Sequence, residues 1–142
     1  MEKSDQQIHK ICIRNIKKAL FNDAELKFTE FYEVTDQQLE FYDDLQTDEI
    51  AICSTKINSD NWSLLTTKRL LTKSNNNLNS AEIEFASHAT YGDFKGYIDP
   101  DFTVGRILTS DGREFEYFTE TGKASMVMVQ GVKTRIQIQN RT

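Results

Sequence analysis

The chain has 142 residues, 38% hydrophobic and 27% charged, with a formal net charge of −5. That length favours one domain, or one domain with an appendage, and it buries a real core without disulfide or metal staples. No apolar run reaches the roughly 18 residues of a transmembrane helix, and the polar start M-E-K-S-D-Q-Q lacks the apolar core of a signal peptide, so a cytoplasmic location is expected.

Charge is spread unevenly. Residues 1–21 carry five basic and two acidic side chains, residues 22–60 two and eleven, and residues 61–142 ten and nine. The acid of the middle segment disfavours nucleic acid and anionic membrane as partners of that segment.

Residues 6–20 read as an amphipathic helix. Ile8, Ile11, Cys12, Ile16, Ala19 and Leu20 recur at three- and four-residue spacing, and Lys10, Arg14, Lys17 and Lys18 form a basic flank. Ser4 or Asp5 supplies the N-cap. Residues 25–34 alternate imperfectly and fit either a strand or a short helix. Thr35, with Gln38 three residues on, matches a capping box and predicts a helix with Leu39, Tyr42 and Leu45 inward. Asp36, Glu40, Asp43, Asp44, Asp48 and Glu49, interleaved with Phe41 and Tyr42, then make an acidic, aromatic surface. These eight residues are the candidate partner-binding set.

From Glu49 onward the pattern changes to strands. Residues 50–55 are apolar and β-branched, and Asn58-Ser59-Asp60-Asn61 is turn chemistry. The stretch N-W-S-L-L-T-T-K-R-L-L-T-K, residues 61–73, reads as two short strands around a turn at Thr66-Thr67-Lys68. Its leucine doublets imply that both faces are partly covered. Trp62, the single tryptophan, fits a core anchor of on the order of 200 Å², or else an exposed ligand platform. Residues 73–79 read as a polar loop. Residues 81–86 read as a half-buried strand, with Ile83 and Phe85 on one face. Residues 102–108 are another strand, and Ser110-Asp111-Gly112 signals a hairpin. Phe115 and Tyr117 then share one face, opposite Glu114, Glu116 and Phe118. Helical spacing runs from Ser125 through Val132 and Ile136 to about Gln139. Gly131 costs that helix roughly 1 kcal/mol against Ala, or allows close packing against a sheet.

This order of elements, together with L-L-T-T-K-R-L-L within 62–73 and the Asp111-Gly112 hairpin before a final helix, resembles the pleckstrin-homology-like fold, particularly its bacterial members. The resemblance covers about residues 48–140. It implies an α+β fold: an antiparallel β-barrel or sandwich of about seven strands with a C-terminal helix, here preceded by N-terminal helices. Residues 1–47 are then a helical appendage packed on the core, and 48–142 the domain itself. The resemblance implies a binding role, toward peptides, proteins or inositol phospholipids. Lipid-binding members use a basic cluster in the first hairpin loop. The corresponding residues 54–61 contain only Lys56, beside Asp60.

Catalytic and metal signatures are lacking. Cys12 and Cys53 form no CxxC and read as reduced buried thiols, although one disulfide stays open. His9 and His88 read as structural or surface residues. No phosphate-cradling glycine loop and no G-x-S-x-G occurs, so no cofactor is expected. Asp99 and Asp101 flank Pro100 in a solvated turn that can also hold a cation. The expected function is a non-enzymatic protein-interaction module whose acidic surface takes a basic protein, with an immunity protein against a basic toxin as its specific version. The alternatives are a peripheral membrane-surface adaptor using the basic helix, or a small-ligand-binding protein or enzyme. An open strand edge also allows pairing with a peptide or a second copy.

Overall fold

A computed structural model describes residues 3–20, 26–36, 38–92 and 101–139. The elements are α1 (Asp5–Leu20), β1 (Thr29–Phe31), β2 (Ala51–Asn58), β3 (Asn61–Thr66), β4 (Arg69–Ser74), β5 (Asn77–Glu82), β6 (Ser87–Thr90), β7 (Phe102–Leu108), β8 (Glu114–Glu120), a 3-10 turn (Gly122–Ala124) and α2 (Ser125–Gln139). The fold is α+β. One antiparallel sheet has the order β1-β2-β3-β4-β5, and a second has the order β6-β7-β8.

Both faces of the first sheet are covered, as the leucine doublets require. Leu65 and Leu70 face one way with Cys53. They meet Ile16 and Cys12 of α1 and Met128 and Val132 of α2 in the larger core cluster. Trp62, Leu64 and Leu71 face the other way with Tyr32 and Ala51. Trp62 is 2% exposed and is a core anchor. Ser4 caps α1 through a reciprocal pair: its Oγ accepts from the Gln7 N–H at 3.2 Å, and its own N–H donates to Gln7 Oε1 at 2.9 Å.

The β3–β4 turn is tied to the elements around it. Thr67 Oγ1 donates to Asp5 Oδ2 at 2.6 Å and accepts from the Ile50 N–H at 3.1 Å. The buried Arg135 of α2 donates from Nε to the Thr67 carbonyl at 2.7 Å. Three polar contacts thus lock α1, α2 and the residue before β2 onto one short turn.

The expected barrel is not closed. Among the described residues no backbone pairing joins the two sheets. β8 instead rests on the face of the first sheet. The Phe118 N–H donates to Ser63 Oγ at 2.7 Å, Ser63 and Thr72 hydroxyls meet at 2.8 Å, and Thr72 Oγ1 donates to the Glu116 carbonyl at 2.7 Å. Two hydroxyls on β3 and β4 do the work of a neighbouring strand, which leaves the sheets stacked rather than rolled together.

Other expectations are corrected. Among the described residues seven strands, β2–β8, follow residue 48, against about seven expected, and β1 adds one before it; Asn77-Leu78-Asn79, read as loop, joins β5 after a tight turn at Asn75 and Asn76. β5 ends at Glu82, and Phe85 is 65% exposed at φ 62°, not half-buried beside Ile83. Before residue 48, one helix forms among the described residues rather than several. The helix expected from Thr35 is absent: residues 38–46 have no regular structure. A cap contributes about 1 kcal/mol. Burying Leu39, Phe41, Tyr42 and Leu45 against Trp62 contributes several times that. Adjacent Phe41 and Tyr42 both reach Trp62 across bends at 40 and 41, so the packing selects an irregular course over a helix. β1 pairs with β2, so residues before 48 belong to the same sheet as those after it. The Asp99–Pro100 turn and the side chain of His88 lie outside the described residues.

Candidate functional site

The acidic segment is clamped from beneath. Phe41 meets the Trp62 ring edge-on, with centroids 4.8 Å apart and planes at 61°. The Tyr42 ring lies 5.8 Å from Trp62. Phe41 and Tyr42 are therefore half-buried supports rather than free surface aromatics.

Arg69 fastens the other end. Its Nε donates to Glu49 Oε2 at 2.9 Å and its Nη2 to Glu49 Oε1 at 3.1 Å, a two-pronged pair. The same Nη2 reaches the Tyr42 hydroxyl at 3.0 Å and the Asp44 carbonyl at 3.1 Å. Glu49 also accepts from the Gln46 N–H at 2.8 Å and from the Thr66 hydroxyl. Burial raises the Glu49 pKa, but the hydrogen bonds from Arg69, Gln46 and Thr66 and the Arg69 charge outweigh it and hold the group below the ordinary carboxylate value.

Of the eight expected partner-binding residues, Asp36, Glu40, Asp43, Asp44 and Asp48 are exposed. Among the described residues, none of these five carboxylates makes an ion pair. Glu49 is buried and neutralised by Arg69. Its position offers a clue in the sequence: it directly precedes the apolar run that becomes β2. Arg69 carried no signal in the sequence as a clamp, because its partners lie 20 and more residues away in the chain.

Two grooves lie near β1, and one of them borders this segment. One, of about 620 Å³, is lined by residues 26–30 around β1 and by 38–41 of the acidic segment, together with Tyr32, Ser54 and Lys56. The other, of about 790 Å³, runs along α1 past Lys10, Arg14, Lys17 and Lys18 to Glu33 and Thr35. Lys17 is paired with Glu33 at 2.7 Å. The apolar face of α1 is occupied by the core, with Ile8, Cys12, Ile13, Ile16 and Leu20 buried.

His9 is buried, and its Nε2 donates to the Tyr32 carbonyl at 2.6 Å, a structural role. Cys12 and Cys53 are free and buried. Burial pushes the Cys12 thiol up to about 12, against the pull of nearby Arg135. Among the described residues, no three histidine, cysteine or carboxylate side chains converge as a metal site. No described helix is long and apolar enough to cross a membrane.

No protein-family model, no curated protein and no solved structure matches this chain.

Proposed function

We propose that this chain is a non-enzymatic interaction module whose acidic segment docks a basic protein, with neutralisation of a basic toxin by an immunity-type protein as the specific version. The carrying observation is a set of five exposed carboxylates, unpaired among the described residues, on a segment held by Trp62 and Arg69. A clamped charge array loses little conformational freedom on binding, and its field raises the association rate of a cationic partner. The resemblance to pleckstrin-homology-like domains, many of which bind peptides or proteins, supports a binding role.

The test is affinity capture from native lysate at low and high salt, with the Asp43→Lys/Asp44→Lys double variant alongside. Asp48 is left alone because it occupies left-handed backbone at φ 67°, which lysine tolerates poorly. A basic partner held at low salt, released at high salt and lost from the variant supports the reading. A partner retained equally by the variant rejects it.

A second reading rests on the basic flank of α1. Lys10, Arg14 and Lys18 make no ion pair among the described residues. With the apolar face of α1 buried, attachment to an anionic membrane would rest on charge alone, about 1 kcal/mol per basic residue. Sedimentation with anionic liposomes at low salt decides it, and no co-sedimentation rejects it.

A further inference from the structure

We infer that the outer edge of β1 is where the partner enters, as an extended segment that adds a strand to the first sheet and directs a lysine or arginine toward Glu30 and Glu40. This rests on the acidic-segment reading and specifies its mode of docking.

The register fixes which backbone groups are open. Thr29, Glu30 and Phe31 lie opposite Thr55, Ser54 and Cys53. The Lys56 N–H donates to the Phe28 carbonyl at 2.7 Å, and the Tyr32 N–H donates to the Ile52 carbonyl at 2.9 Å. The Phe28 carbonyl and the backbone groups of residues 30 and 32 therefore turn toward β2, while the Lys27 and Phe28 N–H groups donate to the Glu120 carboxylate at 3.0 and 2.9 Å, so the free edge starts at Thr29. By alternation, Thr29 and Phe31 turn theirs outward. β1 is the last strand of its sheet, and among the described residues these outward groups have no partner.

The edge is also prepared for an occupant. On the face toward α1 and α2, the Thr29 hydroxyl bonds that of Thr55 at 3.0 Å and Phe31 packs against the larger core, so the strand is fixed from below. On the opposite face the groove of about 620 Å³ opens between residues 26–30 and 38–41, with the Tyr32 and Ser54 hydroxyls 2.6 Å apart in its lining.

Charge selects which side chain. Glu30 and Glu40 are exposed and unpaired in this groove among the described residues. Lys27 and Lys56 line it too, so the lining itself is balanced. Lys56, however, has its ammonium drawn over the Phe41 ring, 5.8 Å from the centroid. The preference for a cation comes from nearby Asp36, Asp43 and Asp44, whose carboxylates make no ion pair among the described residues, although Arg69 lies against the Asp44 carbonyl. Backbone pairing gives the affinity and the alternate side chains give selectivity, the division of labour of strand addition.

The experiment is a 15N amide titration of the intact chain with acetyl-(Lys-Val)3-amide and with two analogues N-methylated at either set of alternate residues. The protein is unaltered, so folding is not in question. Shifts centred on Thr29, Glu30 and Phe31 are expected, with slowed exchange of the Thr29 and Phe31 amides. One methylated analogue should bind about tenfold more weakly, since two lost backbone bonds are worth roughly that factor. The Glu30→Gln/Glu40→Gln variant should bind the parent peptide several-fold more weakly. Shifts confined to Asp36, Asp43 and Asp44, with all three peptides equivalent, would overturn strand addition while leaving the acidic-segment reading intact. No shift anywhere at millimolar peptide would count against both.

Discussion

At the scale of single residues, Glu49 and Arg69 decide more than any other pair. Both are largely withdrawn from water, with side-chain exposures of 0% for Glu49 and 15% for Arg69. Removing one partner of such a pair strands the other, at a cost of about 3 kcal/mol. Glu49→Gln should therefore lower stability at neutral pH by roughly that amount in urea denaturation, and should loosen the Asp44 region first. The pH dependence follows from the sign of the shift. The folded pKa of Glu49 lies below its unfolded value, so its contribution is complete above the unfolded pKa and is lost as pH falls through the folded one. The gap between wild type and Glu49→Gln should shrink as pH drops from about 5 toward 3. A gap that stays constant would mean that Arg69 is not the main partner of the carboxylate. The two thiols make a separate prediction. Burial raises both pKa values, Cys12 to about 12 and Cys53 well above its ordinary value. A thiol reagent at pH 8 should label neither in the folded chain and both after unfolding.

At the scale of elements, the chief lesson is that local signals yield to packing. Residues 35–38 carry a sound helix start, yet the following chain forms no helix, because Phe41 and Tyr42 are drawn onto Trp62 and Leu39 onto the cluster around it. α2 shows the reverse tension. Gly131 weakens the helix by propensity, but a Cβ there would meet Cys53 Sγ at 2.9 Å, Leu65 Cδ2 at 3.0 Å and Ile16 Cδ1 at 3.4 Å. The missing side chain is what lets α2 approach both the sheet and α1. Propensity alone predicts that Gly131→Ala stabilises by about 1 kcal/mol. The crowding predicts a net destabilisation, since overpacking costs typically 1–3 kcal/mol. The sign of the change in thermal or urea midpoint separates the two.

At the scale of the whole molecule, two stacked sheets are joined through the Ser63–Thr72 hydroxyl pair and a shared apolar core. Ser63→Ala leaves the Phe118 N–H unmet at a largely buried site. A loss of about 1–3 kcal/mol in a single cooperative transition is expected. A biphasic transition would show instead that the second sheet unfolds separately. The molecule also has two charged sides. Lys10, Arg14 and Lys18 of α1 and the carboxylates of 36–48, which make no ion pair among the described residues, lie on elements packed against opposite faces of the first sheet. Partners of opposite charge can thus approach without competing for one surface.

Read as a sequence, the chain by itself determined its local and periodic features. These are the amphipathic first helix, the hairpin of residues 61–73 with both faces covered, the Asp111-Gly112 turn, the final helix and the concentration of acid in 22–60. Each depends on neighbours within a few residues, where periodicity and turn chemistry act. Only the tertiary structure decided that no backbone pairing closes the barrel among the described residues, that residues 38–46 pack irregularly against the Trp62 cluster, that Glu49 is buried while Asp43 and Asp44 are not, and that β1 is the terminal strand of the first sheet. Those outcomes rest on contacts between residues distant in the chain. The Ser63–Phe118 and Glu49–Arg69 bonds span 55 and 20 residues. Their energy arises only when both partners are brought together, and no local pattern encodes that.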